Sequence, residues 1–241
     1  MKKTVILILL VLTTKGYSQF AKNMFSKDPI INLENWQKQR LYFGYYLGFN
    51  SFDFKFDYKN PVPVPPGADI QVKKTTGFNV GVVADLRLQE YINLRFEPGL
   101  YYTKRDLYFP NIELKNEYLR EVSSTYIHFP LLLKFSSLRT GNIRPYLVGG
   151  MSTTLNLSSN SKSKDDNFEG KFRVKPWTAA YELGFGIDIF SEYFIFSPSI
   201  RGMFGITDEL IRDNPANGPS QWTDNIDSMK SRAILINFTF H

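Results

Sequence analysis

A chain of 241 residues, 43% apolar and 16% aromatic, holds one large domain or two small ones, and no composition shift marks a linker between halves. The absence of cysteine excludes a disulfide framework, thiol catalysis and thiolate metal sites, and two histidines, His128 and His241, are too few for a histidine metal cluster. Of the formal charge of +6, Lys2, Lys3 and Lys15 supply half and belong to an export leader, so the basic pI gives no ground for nucleic acid binding.

Met1-Lys2-Lys3, the apolar run Val5 to Leu12 and Gly16-Tyr17-Ser18 form the charged, apolar and small-residue parts of a secretory signal peptide. The expectation is a leader over residues 1–18, cleaved between Ser18 and Gln19; its apolar run is too short to span a bilayer as a helix. No cysteine follows the site, which speaks against a lipoprotein anchor. Residues 19–40 are polar, carry Pro29 and Trp36, show no sustained period and read as a periplasmic segment.

Beyond the leader no apolar run approaches the roughly 18 residues a membrane helix needs. A membrane protein without such helices has to be a closed barrel, because lipid cannot satisfy open backbone edges. The choice lies between a secreted soluble β-protein, sandwich or lipocalin-like, and an outer-membrane barrel occupying residues 41–241.

The first predicted strand is Leu41 to Tyr58. Phe43, Tyr45, Leu47 and Phe49 alternate with Gly44, Tyr46, Gly48 and Asn50, after which the apolar phase flips to Phe52, Phe54, Phe56 and Tyr58. A one-residue slip at a bulge near Asn50 and Ser51 is the expected cause. Lys59 to Thr76 holds five prolines and glycines between Pro61 and Gly67 and is a long loop. Gly77 to Arg87 and Ile92 to Tyr102 then form a hairpin across Leu88 to Tyr91. On it Phe78, Val80, Val82, Leu94, Phe96 and Leu100 share an apolar face, and Asp85, Arg87, Arg95 and Glu97 share the other.

A long charged connection from about Lys104 to Glu121 leads to a strand at Thr125 to Phe135. A short turn at Arg139 to Asn142 and a strand at Arg144 to Leu157 follow; Pro130 and Pro145 sit awkwardly in these two ladders. Ser158 to Lys175 is a third long connection, Trp177 to Ile189 a strand, Ser191 and Glu192 a tight turn, and Phe194 to Gly205 a strand. Ile206 to Met229 is the fourth long connection before the last strand, Arg232 to His241. Eight strands with three short connections alternating with four long ones match an outer-membrane barrel with both termini in the periplasm. The predicted fold class is therefore all-β, an eight-stranded antiparallel transmembrane barrel. Ile234, Ile236, Phe238 and Phe240 on the last strand resemble the assembly signal of such barrels, although His241 follows the final aromatic.

The predicted in-facing charges are Asp85, Arg87, Arg95, Glu97, Lys134, Glu182, Asp188 and Arg201, four acidic and four basic. Eight strands leave an interior only wide enough for side chains, so these charges are expected to pair as a filled lumen, without a conducting pore. Which of them touch is not readable from sequence. His128 faces the lumen by phase and is expected to be structural or to lie at the outer rim; His241 is expected at the periplasmic rim. Gly184-Phe185-Gly186 lies in a strand and lacks the context of a nucleotide loop. Asp165-Asp166-Asn167 with Glu169 and Gly170 lacks calcium-loop spacing and reads as a solvated loop. Tyr42, Tyr45, Tyr46, Tyr101, Tyr102, Tyr108 and Trp177 are expected to mark membrane interfaces. No nucleophile and base share a face, so no catalytic, cofactor-binding or metal residue is assigned, and no cofactor is expected.

Leu94-Arg95-Phe96-Glu97-Pro98-Gly99-Leu100 and the run Tyr126 to Phe135 resemble the eight-stranded outer-membrane barrels common in Bacteroidota. More narrowly, Tyr46-Leu47-Gly48-Phe49-Asn50, Ser124-Thr125-Tyr126 and Ser231-Arg232-Ala233-Ile234-Leu235 resemble the PorT family, called SprT in gliding bacteria, and the resemblance runs from about Gln37 to His241. The barrel motifs themselves are shared by relatives of differing function, and His128 departs from the family's pattern, which has an acidic residue there. The resemblance implies a non-enzymatic accessory role in type IX protein secretion, and in gliding motility where the host glides. It implies outer-membrane lipid, the barrel-assembly machinery and other secretion components as partners, with no nucleic acid. The competing reading is a surface adhesin or a ligand-binding or structural barrel.

Overall fold

The computed structural model describes residues 31–59, 69–110, 112, 115–214, 218 and 220–241. The leader reading over 1–18, most of the segment 19–40 and the Pro-rich stretch Asn60 to Gly67 fall outside the described residues.

Strands form where side chains alternate, and all their pairings are antiparallel. They are β1 (Leu41–Tyr58), β2 (Gln71–Lys74), β3 (Thr76–Arg87), β4 (Ile92–Phe96), β5 (Gly99–Tyr108), β6 (Leu119–Ser136), β7 (Ile143–Asn156), β8 (Trp177–Phe190), β9 (Ile195–Gly205) and β10 (Ile226–Phe240). The sheet closes because β10 pairs with β1 from Tyr45↔Phe240 to Tyr58↔Ile226, and β1 pairs with β3 on its other side. Pro98 has no N–H to give a ladder, and it splits one stave into β4 and β5, both held between β3 and β6. Similarly, β2 prolongs β3 along β5. Eight staves therefore enclose the interior, an all-β antiparallel barrel without sheet edges. Pro130 and Pro145 both sit inside their strands.

The short connections 88–91, 137–142 and 191–194 lie at one end with His241, here called the turn end. The described residues of the connections 59–70, 109–118, 157–176 and 206–225 lie at the other, the loop end.

The expected bulge at Asn50 and Ser51 is absent. β1 keeps one register against β10 from Tyr45 to Asp57, and the shift between them falls at Asp57/Tyr58. Even-numbered residues of β1 point inward along its length: Tyr46, Asn50, Phe52 and Phe54 are all buried, while Phe43, Leu47, Phe49 and Lys55 are exposed. The apolar phase inverts because the surroundings do, with lipid outside the lower half and water outside the upper half.

The same inversion corrects the loop limits. Lys104 to Tyr108 and Leu119 to Glu121, which the sequence assigns to a connection, continue β5 and β6, paired through Thr103↔Ser124 to Tyr108↔Leu119. β10 likewise starts at Ile226 and not at Arg232. Above the lipid belt many inward residues are apolar, with Arg120 and Glu209 buried beside them. Phe54, Leu107, Phe109, Val122, Phe172, Val174, Leu210, Trp222, Ile226 and Met229 form a second core beneath the loops.

The loops knit this dome together. Asp213 accepts from Asn167 Nδ2 at 2.8 Å and from Thr223 Oγ1 at 2.9 Å, and Asp166 accepts from the Asn214 N–H at 3.0 Å. Asp166 and Glu169 make a reciprocal capping box on the single turn Asn167–Glu169. These carboxylates are thus engaged by backbone and side-chain donors.

Candidate functional site

Inside the lipid-spanning half many inward positions are polar, with Val83, Leu132, Val148, Met203 and Leu235 packed among them, and the narrow interior forces the polar groups into contact. Of the eight expected lumen charges, seven are buried: Asp85, Arg95, Glu97, Lys134, Glu182, Asp188 and Arg201. They form two groups. Arg95 lies 2.6 Å from Asp85 and 3.2 Å from Glu97; Arg201 reaches the same Glu97 at 2.7 Å and Glu182 at 3.4 Å; and Glu182 meets His128 Nε2 at 2.7 Å. Separately, Lys134 Nζ donates to both oxygens of Asp188 at 2.8 and 2.7 Å, and Ser197 Oγ donates to the same carboxylate at 2.6 Å. Arg87 is half-buried and lines the turn-end mouth.

Each of the four buried lumen carboxylates Asp85, Glu97, Glu182 and Asp188 therefore touches at least one cation or His128. The guanidinium forks suit this arrangement because one arginine can bridge two carboxylates from different strands. His128 is not at the outer rim. It sits fully buried in mid-lumen, held from its other nitrogen by Thr154 at 2.9 Å, and shares Glu182 with Arg201. His241 lies at the turn end, as its position in the chain requires, but its side chain is folded inward, 3.7 Å from Asp85 and edge-on to Tyr42.

Several lumen residues carried no motif. Tyr46 and Tyr101, expected at a membrane interface, are 0% and 1% exposed, and Tyr46 Oη donates to the Glu97 carbonyl at 3.2 Å. Gly99 makes room for that ring, since a Cβ there would collide with the Tyr46 hydroxyl; Gly186 does the same for Tyr146. Arg105 is fully buried where the two interiors meet, its guanidinium 3.8 Å from the Phe54 ring centroid and bonded to Tyr126 and, at 3.2 Å, to Ser231. Their inward parity is the signal that could have found them.

Two covers complete the enclosure. At the loop end stands the apolar dome. At the turn end the segment before β1 crosses beneath the barrel: Asn32 is tied to Asn142 and to the Phe190 carbonyl at 3.0 and 3.1 Å, and Trp36 packs edge-on against Tyr42. Outside, Ile234, Ile236, Phe238 and Phe240 face away from the lumen, with Phe238 stacked on Phe196 and Phe240 on Tyr45. No helix among the described residues is long and apolar enough to cross a membrane.

The sequence matches the family described as outer membrane protein beta-barrel domain over residues 20–210. The chain belongs to this family. It is an integral outer-membrane barrel, and its apolar outer belt is the lipid-facing surface. No curated protein matches it in sequence. Solved structures with similar strand arrangement include OprG from Pseudomonas aeruginosa, at 16% identity over 82% of this chain and 94% of that one, with a TM-score of 0.47. Neisserial surface protein A is similar at 8% identity over 81% and 94%, TM-score 0.44. Ail of Yersinia pestis, solved with a heparin analogue, is similar at 11% over 82% and 96%, TM-score 0.38. No functional residue of the barrel is transferred from them.

Proposed function

We propose that this barrel is a non-enzymatic accessory component of protein secretion across the outer membrane, in the type IX system of Bacteroidota and in gliding where the host glides. The observation that carries the reading is the sealed interior. An ion-paired lumen covered at both ends leaves no path for a folded cargo, so the protein acts through its surfaces. The resemblance to the PorT family over Gln37 to His241 supplies the system. Lipid and other secretion components are the partners, and the outward apolar residues Ile234, Ile236, Phe238 and Phe240 serve recognition by the barrel-assembly machinery.

In this reading the leader is removed after Ser18, which N-terminal sequencing of the membrane-extracted protein tests; a retained Met1 would refute it. The turn end faces the periplasm. A cysteine at Asp165 labels on intact cells and one at Glu192 only after permeabilisation, and surface labelling at Glu192 would reverse the orientation. Deleting the gene should strand proteins with type IX sorting domains in the periplasm. The knitted dome with its own core favours a second reading, a surface adhesin presenting rigid loops. Normal secretion with loss of adhesion alone would select it.

A further inference from the structure

The turn end holds a partly enclosed cavity of about 240 Å3 between the lumen network and the segment crossing beneath it. Its wall takes Trp36 from that segment, Arg139 and Arg144 from the β6–β7 hairpin, and Lys134 and Asp188 from the lumen. Charge is not balanced around it. Asp188 is already engaged by Lys134 and Ser197, and the Glu90 side chain is exposed at the rim. Among the described residues Arg139 donates to the Gly141 carbonyl and Asn142 Oδ1, both at 2.7 Å, and to the Asn32 carbonyl at 2.5 Å. Arg144 donates to the carbonyls of Ser137 and Glu90 at 3.1 and 2.7 Å. All these acceptors are uncharged, so neither guanidinium is neutralised by a carboxylate hydrogen-bonded to it. Two buried donors on the same wall, Trp36 Nε1 and Arg139 Nη1, have no acceptor among the described residues. Buried donors without partners are rare and costly in folded proteins.

We propose that this cavity binds a small oxyanion, a phosphate or carboxylate group, between Arg139 and Arg144, with the Trp36 indole N–H as a further donor. Arg139 keeps Nη1 without an acceptor and Arg144 lines the same cavity, so charged N–H donors from two guanidiniums are on hand for such a group. The volume, several times the roughly 30 Å3 of one water and below the roughly 300–1,000 Å3 of sites for drug-sized ligands, suits the anionic group and not a nucleotide or a sugar chain.

The test uses the mature full chain, folded in detergent micelles with 15N-labelled tryptophan, whose three indole resonances come from Trp36, Trp177 and Trp222. Sodium phosphate and sodium acetate are titrated separately, with sodium chloride at matched ionic strength as the reference. The expected result is a saturable shift of the Trp36 resonance with phosphate, acetate or both, while Trp177 and Trp222 stay still; the active anion assigns the ligand class. Arg144→Gln should weaken the apparent affinity at least ten-fold. Because loss of an arginine can loosen the hairpin, Ser137→Asp provides the second variant. It leaves both arginines in place, sets a competing carboxylate at the wall, and should abolish the shift in a folded barrel. A Trp36 resonance that does not move, that moves equally with chloride, or that keeps its response in Ser137→Asp would overturn the site.

Discussion

On β1 the outward residues Phe43, Tyr45, Leu47 and Phe49 are apolar and the inward Tyr46 and Asn50 carry polar groups, whereas a few residues further Phe52 and Phe54 point inward and Lys55 and Asp57 outward. One strand thus runs through two regions with opposite dress and unbroken register. In the lipid-spanning half the outside is apolar because lipid is the solvent, and the inside holds polar groups that satisfy one another across a narrow lumen. In the loop-end half water returns to the outside, charge moves there, and the apolar residues collect in a core of the kind a soluble protein builds. Strand alternation is common to both halves; the identity of the dry face is not. Arg105 marks the junction, since its guanidinium faces polar Ser231 and Tyr126 on one side and lies over the Phe54 ring on the other.

The two regions should differ in what destabilises them. The largest effect is expected in the lumen. Arg95→Met leaves Asp85 and Glu97 buried without their shared cation and should cost about 3–5 kcal/mol in reversible urea unfolding from lipid vesicles. Replacing Lys134 and Asp188 together by apolar residues should cost less than the sum of the two single replacements, and additive losses would mean that the groups are separately solvated. Next comes the upper core. Leu107→Ala, at a fully buried position, should cost about 2–5 kcal/mol by opening a cavity, while Leu47→Ala on the lipid face should cost clearly less because acyl chains fill the gap; equal losses would break the distinction. Third, Leu47→Arg should cost about 2–4 kcal/mol if that position lies near the bilayer centre, whereas Lys55→Leu on the same face of the same strand should stay within about 0.5 kcal/mol. The smallest effect is at the boundary. Arg232, half-exposed beside Asp53 at 2.7 Å, should lose about 0.2–1 kcal/mol on truncation to alanine, and that loss should shrink in high salt.

The barrel itself was legible. Residues such as Phe78, Val80 and Val82 against Asn79 and Asp85 give a period of two whose dry face can be inferred from where charge is excluded, and the placement of short and long connections fixes the strand count. The dome was not legible by the same rule. A search for lipid-facing alternation stops at Tyr102 and restarts at Thr125, because Leu107 and Val122 alternate in the opposite sense there, and ladder residues become loop residues on paper. The apparent slip at Asn50 has the same origin: apolar phase was equated with strand phase, which holds only while the solvent stays the same. Inward parity placed Asp85, Arg95, Glu97 and Arg201 on one surface, but partner choice depends on register across strands distant in sequence. Nothing local announces that Arg201 lies between Glu97 and Glu182. Tyr46 and Tyr101 look like interfacial tyrosines by type and are lumen residues by position, and only their parity tells the two apart.

Along β1 the outer solvent changes from lipid to water without a change of register. A nitroxide scan from Leu47 to Asp57 in reconstituted bilayers measures this directly, reading accessibility to oxygen, which concentrates in lipid, and to a water-soluble nickel chelate. The expected record has Leu47 and Phe49 oxygen-accessible and Lys55 and Asp57 chelate-accessible, with Asn50, Phe52 and Phe54 shielded from both; Asp53 is shielded as well, because Lys74 and Arg232 lie on its carboxylate. Oxygen accessibility at Phe52 and Phe54, with Lys55 and Asp57 shielded, would mean that the strand slips by one residue after all and would contradict the account.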